Sequence, residues 1–434
     1  RPALFAALTT IAGLLSLAAT SIRPITDFGI AGSVGLVVIY TVTVWLLPPL
    51  ILRYDRHPWP VREFGLRRLD GLVRRTTRVA LRHPSRVLGA VGLILLAGAP
   101  QLANIRVQTD LYAFFPEQHA LSRATRTIEQ RLTGVTTLEV VFDAANRDGL
   151  TEPAALAAIA QVQAWLRKQP EVTYTLSLPD LIAEMHWAFS GDDTSARALP
   201  TRRQLISQYL LIHDGRDLHD LVDRDFRRTR LLMNLNTHGS VEINAFMRRL
   251  RQHLGQHPPA GLDWQIAGYG RLFGDQERLL MRGQISSASA VGLMVFALLV
   301  ILWRSPRAAA LCMVPNVAPV VLIFVLMGTL GIWLDMATAL IASVATGIAV
   351  DDTIYLYQGY RGRRAAGAGP VFALARTLRR TGPDCLATSV ILGAQFLLLG
   401  LSAFIPTREF ALLTAFGLLI AVGFDLLILP ALLL

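Results

Sequence analysis

Residues 336–358 read MATALIASVATGIAVDDTIYLYQ. At roughly 1.5 Å of rise per residue, this run is long enough to cross the ~30 Å hydrocarbon core of a bilayer as one helix. Yet it carries two adjacent carboxylates, Asp351 and Asp352. Each costs roughly 2.5–3.5 kcal/mol at a bilayer centre on insertion scales. No helix breaker stands at 351, and another turn and a half of helical pattern follows, so the pair is expected inside the span. On a helix Asp351 shares a face with Val344, Gly347, Tyr355 and Gln358. Asp352 points about 100° away, towards Ala345, Ile348, Ala349 and Tyr355. Gly347 and Ala349 permit close approach of a neighbouring helix, and the Tyr355 hydroxyl can reach either carboxylate. In a later span, Thr388 and Ser389 supply hydroxyls at comparable depth.

The rest of the chain has the same character. Of its 434 residues 53% are hydrophobic and only 17% charged, against about a quarter charged in soluble domains. Eight apolar windows qualify as helical spans: 2–22, 28–52, 87–103, 285–303, 310–332, 336–358, 384–404 and 409–434. Strands of a membrane barrel would be shorter and would alternate. The connectors 53–86, 304–308 and 361–384 hold 18 arginines against 4 acids. All three fall on one side of the membrane, which the positive-inside pattern makes cytoplasmic. The net charge of +11 is thereby explained by topology and calls for no nucleic-acid partner. The two cysteines, Cys312 and Cys385, imply no disulfide framework.

An ungapped repeat appears at an offset of 382 residues. Pro24, Phe28, Gly35 and Pro48 fall on Pro406, Phe410, Gly417 and Pro430. Residues 1–52 thus copy the last two spans, in parallel orientation. The repeat predicts a duplicated parent of twelve spans with two outside domains, whose first four spans and first outside domain precede this sequence. The expected order is then 1–52, two closing helices of the first repeat; 53–86, a basic cytoplasmic linker; 87–103, the first helix of the second repeat; 105–283, an outside domain; and 285–434, a five-helix bundle.

The outside domain has soluble composition. Strand patterns at 136–143, 172–176, 230–236 and 264–268 alternate with helical patterns at 119–132, 151–168 and 240–255. Strand–helix–strand twice over predicts split βαβ modules in an α+β, ferredoxin-like sandwich. Between them, LPDLIAEMHWAF (178–189) and TRRQLISQYLLI (201–212) read as amphipathic helices. Their Met, Trp and Phe residues belong either to the core or to an apolar channel.

No enzyme constellation is present. The sequence lacks GxxxxGK[ST], and Lys168 is its only lysine. It also lacks HExxH and paired Cys/His spacing, so no metal or other cofactor is expected. What remains is intramembrane polarity. Two carboxylates side by side in a medium of low dielectric resist being ionised together. A group that takes a proton from one side and releases it to the other can couple transport to a gradient worth about 2.3 kcal/mol per charge per 100 mV. Protons are therefore the expected coupling ion, with Asp351, Asp352, Tyr355, Thr388 and Ser389 as the relay. Asp425, whose repeat counterpart is Thr43, and Asn316 form a possible secondary polar site, structural or relay. In VPNVAPV (314–320), Pro315 and Pro319 mark a hinge or a packing kink.

The order of one span, a large outside domain and five spans, all duplicated, resembles the resistance–nodulation–division (RND) superfamily. DLYAFFPEQ (110–118), VPNVAPV and GIAVDDTIYLYQGYR (347–361) are similar to its MMPL, or hydrophobe/amphiphile-exporter, branch. That resemblance implies proton-driven export of lipid or other hydrophobic cargo from a bacterial inner membrane, with 105–283 as a periplasmic porter domain. It also implies that the acidic pair faces partners on the fourth span of the N-terminal half, and it admits a homo-oligomer. The intramembrane lysine of drug-efflux members has no counterpart here. The competing readings are a lipid- or sterol-sensing membrane protein and a protein-translocation helper of the same architecture.

Overall fold

Eight helices among the described residues are long and apolar enough to cross a membrane, and they overlap the eight apolar windows of the sequence. The structure is a computed structural model describing residues 2–54, 66–191, 197–213 and 215–434. It contains two compact units, one of Arg1–Val107 with Leu279–Leu434 and one of Gln108–Arg278.

In the first unit, α1 (Pro2–Leu15) is followed by α2 (Arg23–Thr41). A π-helical turn, Val42–Leu46, joins α2 to α3 (Leu47–Tyr54). Pro48 and Pro49 cannot donate to the carbonyls one turn earlier, and the widened turn precedes them. Residues 55–65 of the expected basic linker lie outside the described residues. The remainder of that stretch is no simple linker, because Leu66–Arg82 forms helix α4. Its Val73 and Ala80 are buried, and it packs on the helices named α15 and α16 below. An amphipathic period was overlooked there because the arginines dominate the composition. Helix α5 (Pro84–Gly98) starts on a proline and continues as a 3₁₀ turn, Ala99–Asn104.

In the second unit, α6 (Ala120–Arg131) precedes β1 (Thr136–Ala144), α7 (Pro153–Leu166) and β2 (Val172–Leu176). Three helices follow: α8 (Leu178–Phe189), α9 (Arg203–Ile212) and the short α10 (Arg216–His219). The unit then runs through β3 (Arg228–Leu235), α11 (Ser240–Gln256) and β4 (Leu262–Ala267). The sheet order is β2-β3-β1-β4, with every neighbouring pair antiparallel. The β1–α7–β2 and β3–α11–β4 crossovers therefore interleave. Period-two burial puts Leu138, Val140 and Phe142 of β1 and Leu231, Met233 and Leu235 of β3 on one face. Against it pack Leu156, Ile159 and Leu166 of α7 and Ile243, Phe246, Leu250 and Leu254 of α11. Met185 of α8 joins this core, whereas Phe189 is exposed and stacks on Tyr209. Helix α8 begins with a capping box, Ser177 and Asp180, tied to Gln163 by the Ser177 hydroxyl at 2.7 Å.

Helix α12 (Tyr269–Trp303) carries the chain into the closing helices α13 (Pro306–Leu330), α14 (Ile341–Ala365), α15 (Pro370–Leu399) and α16 (Ile405–Leu432). Several outrun the apolar windows. Hydropathy marks what lipid can cover, whereas the backbone ladder of α15 continues through Arg376, Arg379 and Arg380. Helix α13 passes unbroken through Pro315 and Pro319 and ends at Gly331, whose φ of 68° is a left-handed cap that glycine adopts without a side-chain clash. Large apolar side chains such as Val38, Trp45, Leu93, Leu96 and Leu293 face outwards, as a lipid-embedded bundle requires. Inside, one apolar cluster includes Leu17, Ile323, Ile341 and Ala345. A second includes Val73, Leu299, Trp303, Val350, Ile354 and Leu426.

Phe246, fully buried under the sheet, provides a test of this core. Phe246→Ala should destabilise the second unit by about 3–5 kcal/mol, read as a lower denaturation midpoint of that unit in the intact protein. Leu132→Ala, at a position 80% exposed, should change it by less than about 0.5 kcal/mol. Equal shifts would contradict the packing described.

Candidate functional site

Helix α14 is the most covered of the eight spans, and it carries the acidic pair. Just before it, Asp335 caps the 3₁₀ turn Thr338–Leu340 that leads into α14. One Asp335 carboxylate oxygen accepts from Ala337 N at 2.9 Å, Thr338 N at 2.8 Å and the Thr338 hydroxyl at 2.9 Å. This is an N-terminal cap. Burial pushes the Asp335 carboxyl above the usual carboxylate range, with the Thr338 and Ala337 donors opposing that rise.

Three consecutive residues of α14 then reach three different neighbours. Asp351 faces α1: its Oδ1 lies 3.2 Å from the Thr9 hydroxyl and its Oδ2 3.5 Å from the Thr10 hydroxyl. Asp352 faces α15, where the Ser389 hydroxyl donates to its Oδ2 at 3.0 Å. The Cys385 side chain lies on the same side. Thr353 faces α13 and α16: it accepts from Asn316 Nδ2 at 2.9 Å and donates to Asp425 Oδ1 at 2.5 Å. The helical advance of about 100° per residue produces this divergence.

Close approach of α1 makes the first of these contacts possible. A Cβ on Gly13 would stand 2.8 Å from Gly347 Cα and 2.8 Å from the Ser343 carbonyl. Thr9 and Gly13 on one helix, with Ser343 and Gly347 on the other, form facing small-residue stripes at four-residue spacing. Across the seam the Thr10 hydroxyl also reaches the Gly347 carbonyl at 3.2 Å.

Two expected relay members stand elsewhere. The Tyr355 side chain is 40% exposed, and its hydroxyl makes no hydrogen bond to either carboxylate among the described residues. Thr388 is exposed and returns its hydroxyl to the Cys385 and Asp384 carbonyls at 2.9 and 3.2 Å. Neighbouring positions on α15 diverge by about 100°, so Ser389 faces α14 and Thr388 does not. Asn316 also donates to the Cys312 carbonyl at 2.7 Å, and Gly347 packs at the α1 seam. Pro315 and Pro319 are buried within α13 and bring no donor to the site.

Sequence reasoning missed Thr9, Thr10 and Thr353. Thr9-Thr10 is an adjacent hydroxyl pair inside an apolar span, and Thr353 follows the acidic pair directly. Both signals were present. No group of three or more His, Cys, Asp or Glu side chains among the described residues could hold a metal ion.

Comparison with known proteins adds the following. A sequence model of the MMPL family matches residues 113–434. The membrane protein MJ1562 of Methanocaldococcus jannaschii is 22% identical over 375 residues, covering 84% of this chain and 94% of that protein. The multidrug resistance protein MdtC of Yersinia pseudotuberculosis is 35% identical over 142 residues, covering 32% of this chain but 13% of MdtC. Among solved structures, the hedgehog release protein Disp from water bear (Hypsibius dujardini) shares the fold. It matches with a TM-score of 0.56 and 17% identity over 100% of this chain and 58% of Disp.

The α1 seam can be tested with one methyl group. Gly13→Ala should destabilise the bundle by about 1–3 kcal/mol, because the new atom meets backbone that cannot rotate away. Gly35→Ala, with nothing within 4 Å of the added carbon, should leave thermal unfolding in detergent unchanged. Similar unfolding of the two variants would refute the close contact.

Proposed function

The chain belongs to the MMPL family of membrane transporters, and we propose that it contributes the proton-coupling half of an exporter for lipid or other hydrophobic cargo. The observation that carries this reading is the triplet Asp351-Asp352-Thr353, embedded in the most covered span and answered by hydroxyls on neighbouring helices.

Hydroxyls suit a site that changes charge, because each can donate and accept. An ionised Asp351 accepts from Thr9. A protonated Asp351 donates to the same oxygen, whose own hydrogen then goes to the Ala6 carbonyl 2.8 Å away. The Ser389 hydroxyl can likewise donate to an ionised Asp352 or accept from a protonated one. Neither carboxylate has an Arg or Lys counter-charge among the interactions of the described residues. Neutralisation by a proton therefore removes most of the cost of burying each group. Loading changes what α14 demands of α1 and α15, and that difference is what a gradient can use to shift the bundle.

The remaining elements of the proposal follow from topology. The arginine-rich connectors stay in the cytoplasm of a bacterium, the span bundle lies in its inner membrane, and the second unit stands in the periplasm as a porter domain. Its interleaved β–α–β crossovers support that assignment. The chain spans 94% of MJ1562, 58% of Disp and 13% of MdtC, and the duplicated twelve-span parent, with an N-terminal half as its partner, belongs to the same reading. So does the absence of enzymatic chemistry.

The test replaces both Asp351 and Asp352 with Asn in the intact protein and follows the loss of a fluorescent lipid from spheroplasts. Efflux should fall to the level that a protonophore leaves in the native protein. Efflux that persists in the double variant while the protonophore still abolishes it would remove the pair from the mechanism.

A further inference from the structure

The third carboxyl of the bundle, Asp425, is bound differently from the pair. It is 1% exposed, and its partner Thr353 and the Asn316 behind it are fully buried, whereas Asp351 and Asp352 are each partly exposed. The hydrogens around it can be counted. Asn316 Nδ2 has two, which go to the Cys312 carbonyl at 2.7 Å and to the Thr353 hydroxyl oxygen at 2.9 Å. The reversed amide would press Oδ1 against the Cys312 carbonyl, acceptor to acceptor, so the orientation is set. Thr353, accepting from Asn316, sends its single hydrogen to Asp425 Oδ1 at 2.5 Å. Two acceptors of this hydrogen-bonded network, Asn316 Oδ1 and Asp425 Oδ2, are buried and have no donor among the described residues.

Among the described residues, the groups that face Asp425 are Cys312 on α13, Asp352 and Thr353 on α14 and Cys385 on α15. None is a cation. A carboxylate anion here would hold one hydrogen bond and no counter-charge, an arrangement that buried ions avoid. A hydrogen on Oδ2 removes the charge and turns one of the two orphan acceptors into a donor.

We propose that Asp425 is a proton-binding site separate from the acidic pair: an un-ionised carboxyl whose Oδ2 hydrogen is held between α13, α14 and α16 and is retained rather than relayed. The proton is a property of this carboxyl. Only its contrast with Asp351 and Asp352 rests on the proton-coupled reading above.

Infrared difference spectra of the intact protein in lipid, native minus Asp425→Asn, test it. The native protein should show the carbonyl stretch of an un-ionised carboxylic acid that the variant lacks. The band should persist from mildly acidic to mildly alkaline pH, with and without sodium, and in the Asp351→Asn/Asp352→Asn background. A carboxylate stretch in its place, as an anion bridged by buried water would give, overturns the proposal. So does a band that sodium displaces. Thermal stability supplies a second reading. Asparagine keeps one acceptor and supplies hydrogens in place of the carboxyl's, so Asp425→Asn should unfold near the native temperature and Asp425→Ala well below it. Equal losses would mean that the anion is required, and the proposal fails. If the band is present but the acidic pair proves dispensable for efflux, the relay reading fails and the Asp425 site stands.

Discussion

Hydrocarbon offers no hydrogen bonds, so a polar side chain inside the bundle is costly unless it finds a partner on another helix or on its own backbone. Asp351, Asp352 and Thr353 meet that constraint together. Because a helix turns about 100° per residue, three adjacent polar side chains cannot share one partner. They engage α1, α15 and the α13–α16 pair separately. The helix that carries them must therefore sit in the middle, and α14 does. Much of the bundle can be read as the surroundings this triplet needs.

Small residues set the distances. Gly13 and Gly347 bring α1 and α14 near contact, so that the short hydroxyls of Thr9 and Thr10 reach a carboxylate. Longer donors would not require such proximity, but they would bring either charge or flexible stems into the seam. Hydroxyls bring neither, and they serve the ionised and the neutral acid alike. Apolar packing surrounds this polar centre, with Val350 and Ile354 of α14 in the same cluster as Trp303 and Leu426.

How much of this was legible depended on which physical signal each feature carries. Spans and strands are written as hydrophobic period and length, and these are local. The strand pattern at 136–143 corresponds to a strand at Thr136–Ala144, and all eight apolar windows overlap helices. Azimuth is not local. Thr388 and Ser389 look equivalent in the sequence, yet one faces α14 and the other returns to its own backbone. Tyr355 has the right spacing from both carboxylates but is 40% exposed and makes no hydrogen bond to either among the described residues. The partners of Asp351 lie more than three hundred positions away on α1, and no periodicity along α14 could have named them. Helix α4 was hidden for another reason, since arginines masked the apolar stripe through Val73 and Ala80.

The triplet is thus divided by direction: two carboxyls partly open and answered by hydroxyls, two for Asp351 and one for Asp352, and a threonine that ties α14 to a sealed third carboxyl. The central claim is that the two open carboxyls carry the coupling proton. Intact protein reconstituted in vesicles with a pH-sensitive dye inside and a loaded hydrophobic cargo measures this directly. The account predicts that an imposed pH gradient drives proton movement in step with cargo release, and that Asp351→Asn/Asp352→Asn vesicles hold their gradient as protein-free vesicles do. Equal proton movement through native and doubly substituted protein would contradict it.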